Sequence, residues 1–262
     1  MAYLLARMEQ FDFLLMNPEK NVQGRLNTFF NARAEAYVKN VFVDYLFSRR
    51  EEAALGDDTL AGYTLLDFGC GTGRLYAYFR QNRPAAAFQY LGLDPAGEML
   101  AASPIPENER RVGDVSALRP EDGSFDRIYL LGVTTYLPDE VLVSSLAKLA
   151  GRLTENGRLV VHFTNANSLE VRLRQWLRPL LRRLTSGRHV ASGGFDIYPR
   201  SMAQVDQFPL PLALDQIRKL PATLPFLQHL SPRLAVWLSR RISRRAPDAL
   251  RMDFIVTYRR AE

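Results

Sequence analysis

Between Leu65 and Gly73 the chain reads LLDFGCGTG, so that Asp67 is followed by glycine at 69, 71 and 73. Glycine at every second position bares the backbone, and a ligand can then lie against peptide groups instead of side chains. A helix opening at this point adds its unpaired N–H groups as donors. Asp94 closes a second apolar run, LGLD, and Asp114 a third, VGDV. A carboxylate at the second position can accept hydrogen bonds from two neighbouring ribose hydroxyls, and a group at the third can read the edge of a base. These residue types therefore suit a ligand that carries a nucleoside. Each acid alone could equally be a helix cap; three in order at successive strand ends carry more weight than any one. The spacing is not that of a dinucleotide fingerprint, G-x-G-x-x-G, because the third glycine comes one position early, and no phosphate loop of the G-x-x-x-x-G-K-[ST] kind is present.

Alternating elements must position these residues. YTLLDF reads as a strand and GRLYAYFRQN as a helix, FQYLGLD as a strand and PAGEMLAAS as a helix. RRVGDV and SFDRIYLLGV are further strands, PDEVLVSSLAKLAGRL a helix, ENG a turn and RLVVHFT a fifth strand. Strands alternating with helices predict an α/β fold, a Rossmann-like, doubly wound, mostly parallel sheet with its ligand site outside the carboxyl ends of the strands. LALDQIRKL and RMDFIVTYRR bring the strands to seven. Residues 1–60 read as N-terminal helices, with Phe30, Ala34, Tyr37, Val41 and Tyr45 at helical spacing. Four regions follow: an N-terminal helical lid over 1–60, a ligand-binding core over 61–164, a helical insertion covering the acceptor over 165–211, and over 212–262 a C-terminal completion of the sheet with a basic helix.

Composition narrows the function. Of 262 residues, 47% are hydrophobic, enough for a substantial core, yet no stretch is apolar for the length of a bilayer. The N-terminus carries acids within its apolar run and lacks a small-residue cleavage site, so it does not read as a signal peptide. Cys70 is the sole cysteine, which excludes an intrachain disulfide and a thiolate zinc cluster. No metal site is read from the sequence. The cytoplasm is the expected compartment. The net charge of +6 divides into −4 over residues 1–164 and +10 over residues 165–262.

The segments LLDFGCGTGR, LGLDPAGEML, GDVSALRPEDGSFDRIYLLGV and LTENGRLVVHF together resemble the class I S-adenosylmethionine-dependent methyltransferases, over about residues 60–165. The resemblance implies S-adenosyl-L-methionine as cofactor and S-adenosyl-L-homocysteine as product. It assigns Asp67, Gly69, Gly71 and Gly73 to the loop under the methionine part, Asp94 to the ribose, and Met99, Asp114 and Val115 to the adenine. Leu131 and Gly132 would line the cofactor at the end of the fourth strand, and Arg33 and Tyr37 would belong to a lid over its amino-acid end. The methyl group of a sulfonium is already activated, so holding an acceptor in line supplies much of the rate, and a base is needed only where the acceptor must lose a proton.

Two residues are candidates for that base. His162 stands near the end of the fifth strand and is either a base or a core histidine; Tyr136 follows the fourth strand and faces either cofactor or acceptor. His189, in the insertion, could also reach over the site. The arginine-rich segments SLEVRLRQWLRPLLRRLTSGRH and FLQHLSPRLAVWLSRRISRR set leucine and tryptophan opposite arginine. Such helices can cover an acceptor pocket, which is the favoured reading here, or lie on an anionic membrane. Either way the acceptor is expected to be a small or lipid-like organic molecule, methylated at oxygen, with nitrogen and carbon as alternatives. The competing readings are a non-catalytic module that keeps the cofactor fold and docks on a membrane or protein partner, and, less favoured, an RNA methyltransferase, since no nucleic-acid-binding module is recognisable.

Overall fold

The computed structural model describes residues 28, 30, 40–184 and 197–261, with the side chains of 178–184 outside the description. Helix α1, Val41–Leu55, begins where Asn40 turns extended and its side chain accepts the Phe42 N–H at 2.8 Å. That cap fixes where the helix begins. Phe42 and Tyr45 are buried, while Val41, which the helical spacing placed on the inner face, is half exposed. Then come β1 (Thr64–Phe68), α2 (Arg74–Asn82), β2 (Gln89–Asp94), α3 (Gly97–Ala101), β3 (Arg110–Val112), β4 (Phe125–Leu130), α4 (Asp139–Ala150) and β5 (Leu153–Thr164). The remainder is α5 (Leu169–Leu184), α6 (Met202–Asp206), β6 (Leu212–Lys219), α7 (Leu227–Leu230), α8 (Pro232–Ile242) and β7 (Asp253–Arg260).

The seven strands form one sheet in the order β3-β2-β1-β4-β5-β7-β6. The first five are parallel, and β7 is inserted antiparallel to both β5 and β6. This is the expected Rossmann-like, mostly parallel α/β sheet. The winding reverses between β1 and β4, the position at which such sheets bind ligands. Because successive side chains point to opposite faces, each central strand feeds two cores. Leu65, Tyr129, Val160 and Ile255 pack on one face with Ala54, Leu75 and Phe79 from α1 and α2. Leu66, Ile128, Val161 and Val256 pack on the other with Leu142, Leu146 and Leu149 from α4. Burial on both faces is why these strands read as near-continuous apolar runs.

One element departs from the sequence expectation. The ENG segment is no turn between helix and strand but lies inside β5, where Phe125 pairs with Leu153 and Arg127 already pairs with Arg158. The extra residues bulge out of the ladder, which resumes on the far side. Among the described residues, no helix is long and apolar enough to cross a membrane.

Candidate active site

The ends of β1, β2 and β4 converge on a cleft of about 130 Å³ that is open to solvent. Its floor is the loop from β1 into α2. Backbone N–H groups of Gly69 and Cys70 both donate to the Leu93 carbonyl, at 2.7 and 3.1 Å, which straps the loop to β2. Gly69 has φ +76°, and a Cβ there would lie 2.2 Å from Val133. Gly71 has φ +53°, and a Cβ there would meet only the Met99 methyl, at 3.3 Å. The first glycine is thus required by packing, whereas the second leaves a bare peptide facing the cleft, a cradle that any side chain would partly fill. Gly73 starts α2 and packs on the 103–105 turn.

Asp94 holds this floor in shape. One carboxylate oxygen accepts the Gly71 N–H at 2.8 Å and the other the Ala96 N–H at 2.8 Å. The two bonds join the first and second strand ends through one side chain. They favour its charged form, but burial outweighs them and raises its pKa. Asp67 is more deeply enclosed. It accepts a 2.6 Å hydrogen bond from the Tyr90 hydroxyl, and burial pushes its pKa up to about 7 despite that bond and the nearby Arg50. Cys70 also lines the cleft, but burial, reinforced by Asp67 and Asp94, raises its pKa and keeps it a thiol.

The cleft brings together Asp67, Gly69, Gly71, Asp94, Met99, Leu131, Gly132 and Tyr136 from the residues singled out in the sequence. Asp114 and Val115 do not line it; the Asp114 carboxylate caps the short turn after β3, accepting the Ser116 N–H at 2.8 Å and its hydroxyl at 2.6 Å. His162 does not line it either. Its ring is buried 3.6 Å from Asp253, and its carbonyl accepts the Thr134 hydroxyl at 2.6 Å. Arg33, Tyr37 and His189 lie outside the described residues. Tyr136 stands at the mouth in an edge-on contact with Phe30, ring centroids 5.4 Å apart.

Sequence reading missed the wall formed by α1. Arg50 and Glu51 line the cleft, and Arg74 joins them from α2. Glu51 is almost fully buried and accepts from Arg74 Nε at 3.0 Å; burial raises its pKa although Arg74 and Arg50 oppose the shift. Arg50 stacks on Phe47 and lies against Gly132, and its buried Nε has no hydrogen-bond partner among the described residues. A guanidinium with an unsatisfied nitrogen beside a cleft can take a carboxylate. In sequence this wall is the run SRREE, which reads as a solvated helical face. The one available signal was the spacing of Glu51 to Ala54 and Leu55, three and four residues on, which puts it on an inward face. Among the described residues, no group of His, Cys, Asp and Glu is arranged to hold a metal.

Comparison with known proteins agrees with this geometry. Residues 66–159 match the family described as a methyltransferase domain. A trans-aconitate 2-methyltransferase of Deinococcus radiodurans is 37% identical over 100 residues, 37% of this chain; the match spans 36% of that relative's length. Among solved structures, magnesium protoporphyrin IX methyltransferase from Synechocystis with bound SAM aligns at TM-score 0.58 and 14% identity, over 94% of this chain and all of the other. A chain from a Haloferax volcanii complex between a methyltransferase activator and a methyltransferase aligns at TM-score 0.60 and 17% identity, covering 89% and 98%. These last two likenesses concern the fold. Over residues 66–159 the chain is therefore similar to a methyltransferase domain, on a fold shared with solved methyltransferases.

Proposed function

From that domain we propose that the chain is an S-adenosylmethionine-dependent methyltransferase acting on a small or lipid-like organic acceptor, with oxygen as the atom methylated. One observation carries the reading. The bare Gly71 peptide, the Asp94 carboxylate that anchors it and Arg50, whose Nε has no hydrogen-bond partner among the described residues, line one cleft at the point where the sheet reverses its winding.

The residues divide the work by chemistry. Asp94 keeps the glycine loop in place and offers its remaining lone pairs to vicinal hydroxyls. Met99 packs beside the Gly71 peptide, on the side where an apolar base face would lie. Arg50 holds a carboxylate, while Asp67, once ionised, faces a cationic group. When bound, the cofactor supplies an activated methyl on a sulfonium. Tyr136 and Phe30 set aromatic edges at the mouth, where an acceptor enters. In this reading orientation carries most of the rate; the proton of a hydroxyl acceptor leaves to solvent water at the open mouth, where the Tyr136 hydroxyl can orient the acceptor by a hydrogen bond, and His162 is buried away from the cleft. Residues 1–60 act as lid, 61–164 bind the cofactor, 165–211 cover the acceptor and 212–262 complete the sheet. We assign the protein to the cytoplasm.

Calorimetry with S-adenosylmethionine and S-adenosylhomocysteine tests the reading. Binding in the micromolar range, at least tenfold weaker in Asp94→Ala, is expected; no binding of either compound would remove it. A screen of acceptors with isotopically labelled methyl then identifies the substrate.

A further inference from the structure

Behind α1, on the side away from the active-site cleft, a second cavity of about 540 Å³ opens between α1, the end of β6 and the C-terminal part of α8. Arg49, Lys219, Arg240, Arg244 and Arg251 line it, and Glu52 is the acid among its lining residues. Glu52 is taken by Arg49, Lys219 by Asp248 at 2.8 Å, and Arg251 by the Leu220 and Ser243 carbonyls. Arg240 stacks on the Tyr45 ring. Neither Arg240 nor Arg244 has an acidic partner among the described residues. Residues 216–247 contain seven Lys or Arg and no Asp or Glu.

The helix that borders this cavity packs in an unexpected orientation. Its inward side is made of small residues, Ala235 and Ser239, the latter 3.4 Å from the Tyr45 hydroxyl. Leu234 and Trp237 of this helix face out, 44% and 52% exposed, as does Leu230 at the end of α7, 85% exposed, while Leu238 and Ile242 are half-buried. At 100° per residue, Leu234 and Trp237 fall on the same outward arc of α8 as Arg233, Arg240 and Arg241. Of the leucine stripe for which the sequence favoured the role of a pocket cover, Leu230, Leu234 and Trp237 meet solvent. Large aliphatic side chains set among unpaired guanidinium groups suit neither water nor a nucleic-acid backbone, which offers phosphates but nothing for leucine. They suit the boundary of a bilayer, where apolar side chains enter the acyl region and cations meet lipid phosphates.

We propose that α7, α8 and the basic cavity form a docking site for an anionic phospholipid surface. Leu230, Leu234 and Trp237 enter the interface, and a headgroup phosphate is held by Arg240 and Arg244. The inference does not depend on methyl transfer.

Flotation of the full chain with phosphatidylcholine vesicles, with and without phosphatidylglycerol, tests it. Binding is expected only where phosphatidylglycerol is present, falling at least tenfold in Arg240→Glu/Arg244→Glu and severalfold in Leu230→Gln/Trp237→Gln. In a Trp176→Phe background the emission of Trp237 should shift to the blue on binding. These side chains are exposed, so thermal melting and cofactor affinity of the variants should match the parent, which separates failure here from failure of the enzymatic reading. Equal binding to both vesicle types, or unchanged binding of both variants, overturns the proposal. So does binding of inorganic pyrophosphate or an oligoribonucleotide without any binding to vesicles.

Discussion

The active-site cleft and the basic face behind it share one helix and differ in how their polar groups are satisfied. In the cleft, Asp67, Asp94 and Glu51 are buried and each is hydrogen-bonded, to Tyr90, to two backbone amides and to Arg74. On the basic face the cations outnumber their partners, and apolar side chains lie between them in solvent. Substitution in the first region should therefore cost stability and ligand binding together. In the second it should alter association with a surface and leave folding almost untouched.

The comparison breaks most sharply at Gly69. Gly69→Ala adds a methyl group that would collide with Val133 at a positive φ; steric strain of this kind costs about 2–4 kcal/mol, to be read from urea unfolding, and cofactor binding should disappear with it. Asp94→Ala leaves two amide donors without their acceptor and should lower stability by about 2–3 kcal/mol. Arg50→Ala removes a cation that has few bonds to lose, so affinity for the cofactor should fall about tenfold, equivalent to roughly 1.4 kcal/mol, with a smaller change in melting temperature. Reversing Arg240 and Arg244 should shift folding stability by less than about 0.5 kcal/mol.

Asp67 sharpens the contrast through pH. Its carboxyl titrates near 3.8 when unperturbed and at about 7 in the folded protein. The folded state thus binds the extra proton between these values, and the ligand-free protein should lose stability as pH rises through that window. Asp94 and Glu51 are shifted in the same direction. Asp67→Asn should flatten the slope. A cationic ligand favours the ionised carboxylate, so cofactor affinity should increase with pH up to about 7, with proton release measurable by calorimetry in buffers of different ionisation enthalpy.

Much of the parallel sheet was legible because strands buried on both faces have an unambiguous signature, and the loop at 67–73 because glycine at positive φ leaves a pattern that few other constraints produce. The site's second wall was not. SRREE has the same composition whether it faces water or a cleft, and only the packing of α1 decides. The orientation of α8 was equally hidden: periodicity finds two faces, and the leucine face could cover a pocket or meet a surface. The small residues won because Ala235 and Ser239 allow a close approach to α1, an advantage that appears only once the neighbouring helix is known. ENG looked like a turn because bulges and turns use the same residues.

The place of β7 in the sheet carries a consequence for how the molecule is made. β6 pairs with β7 and with no other strand, so during synthesis it has no partner until the last of the seven strands has left the ribosome. Until then β5 presents an open edge to the nascent chain's surroundings, and a chaperone that shields that edge would be needed for longer than in a sheet assembled in sequence order.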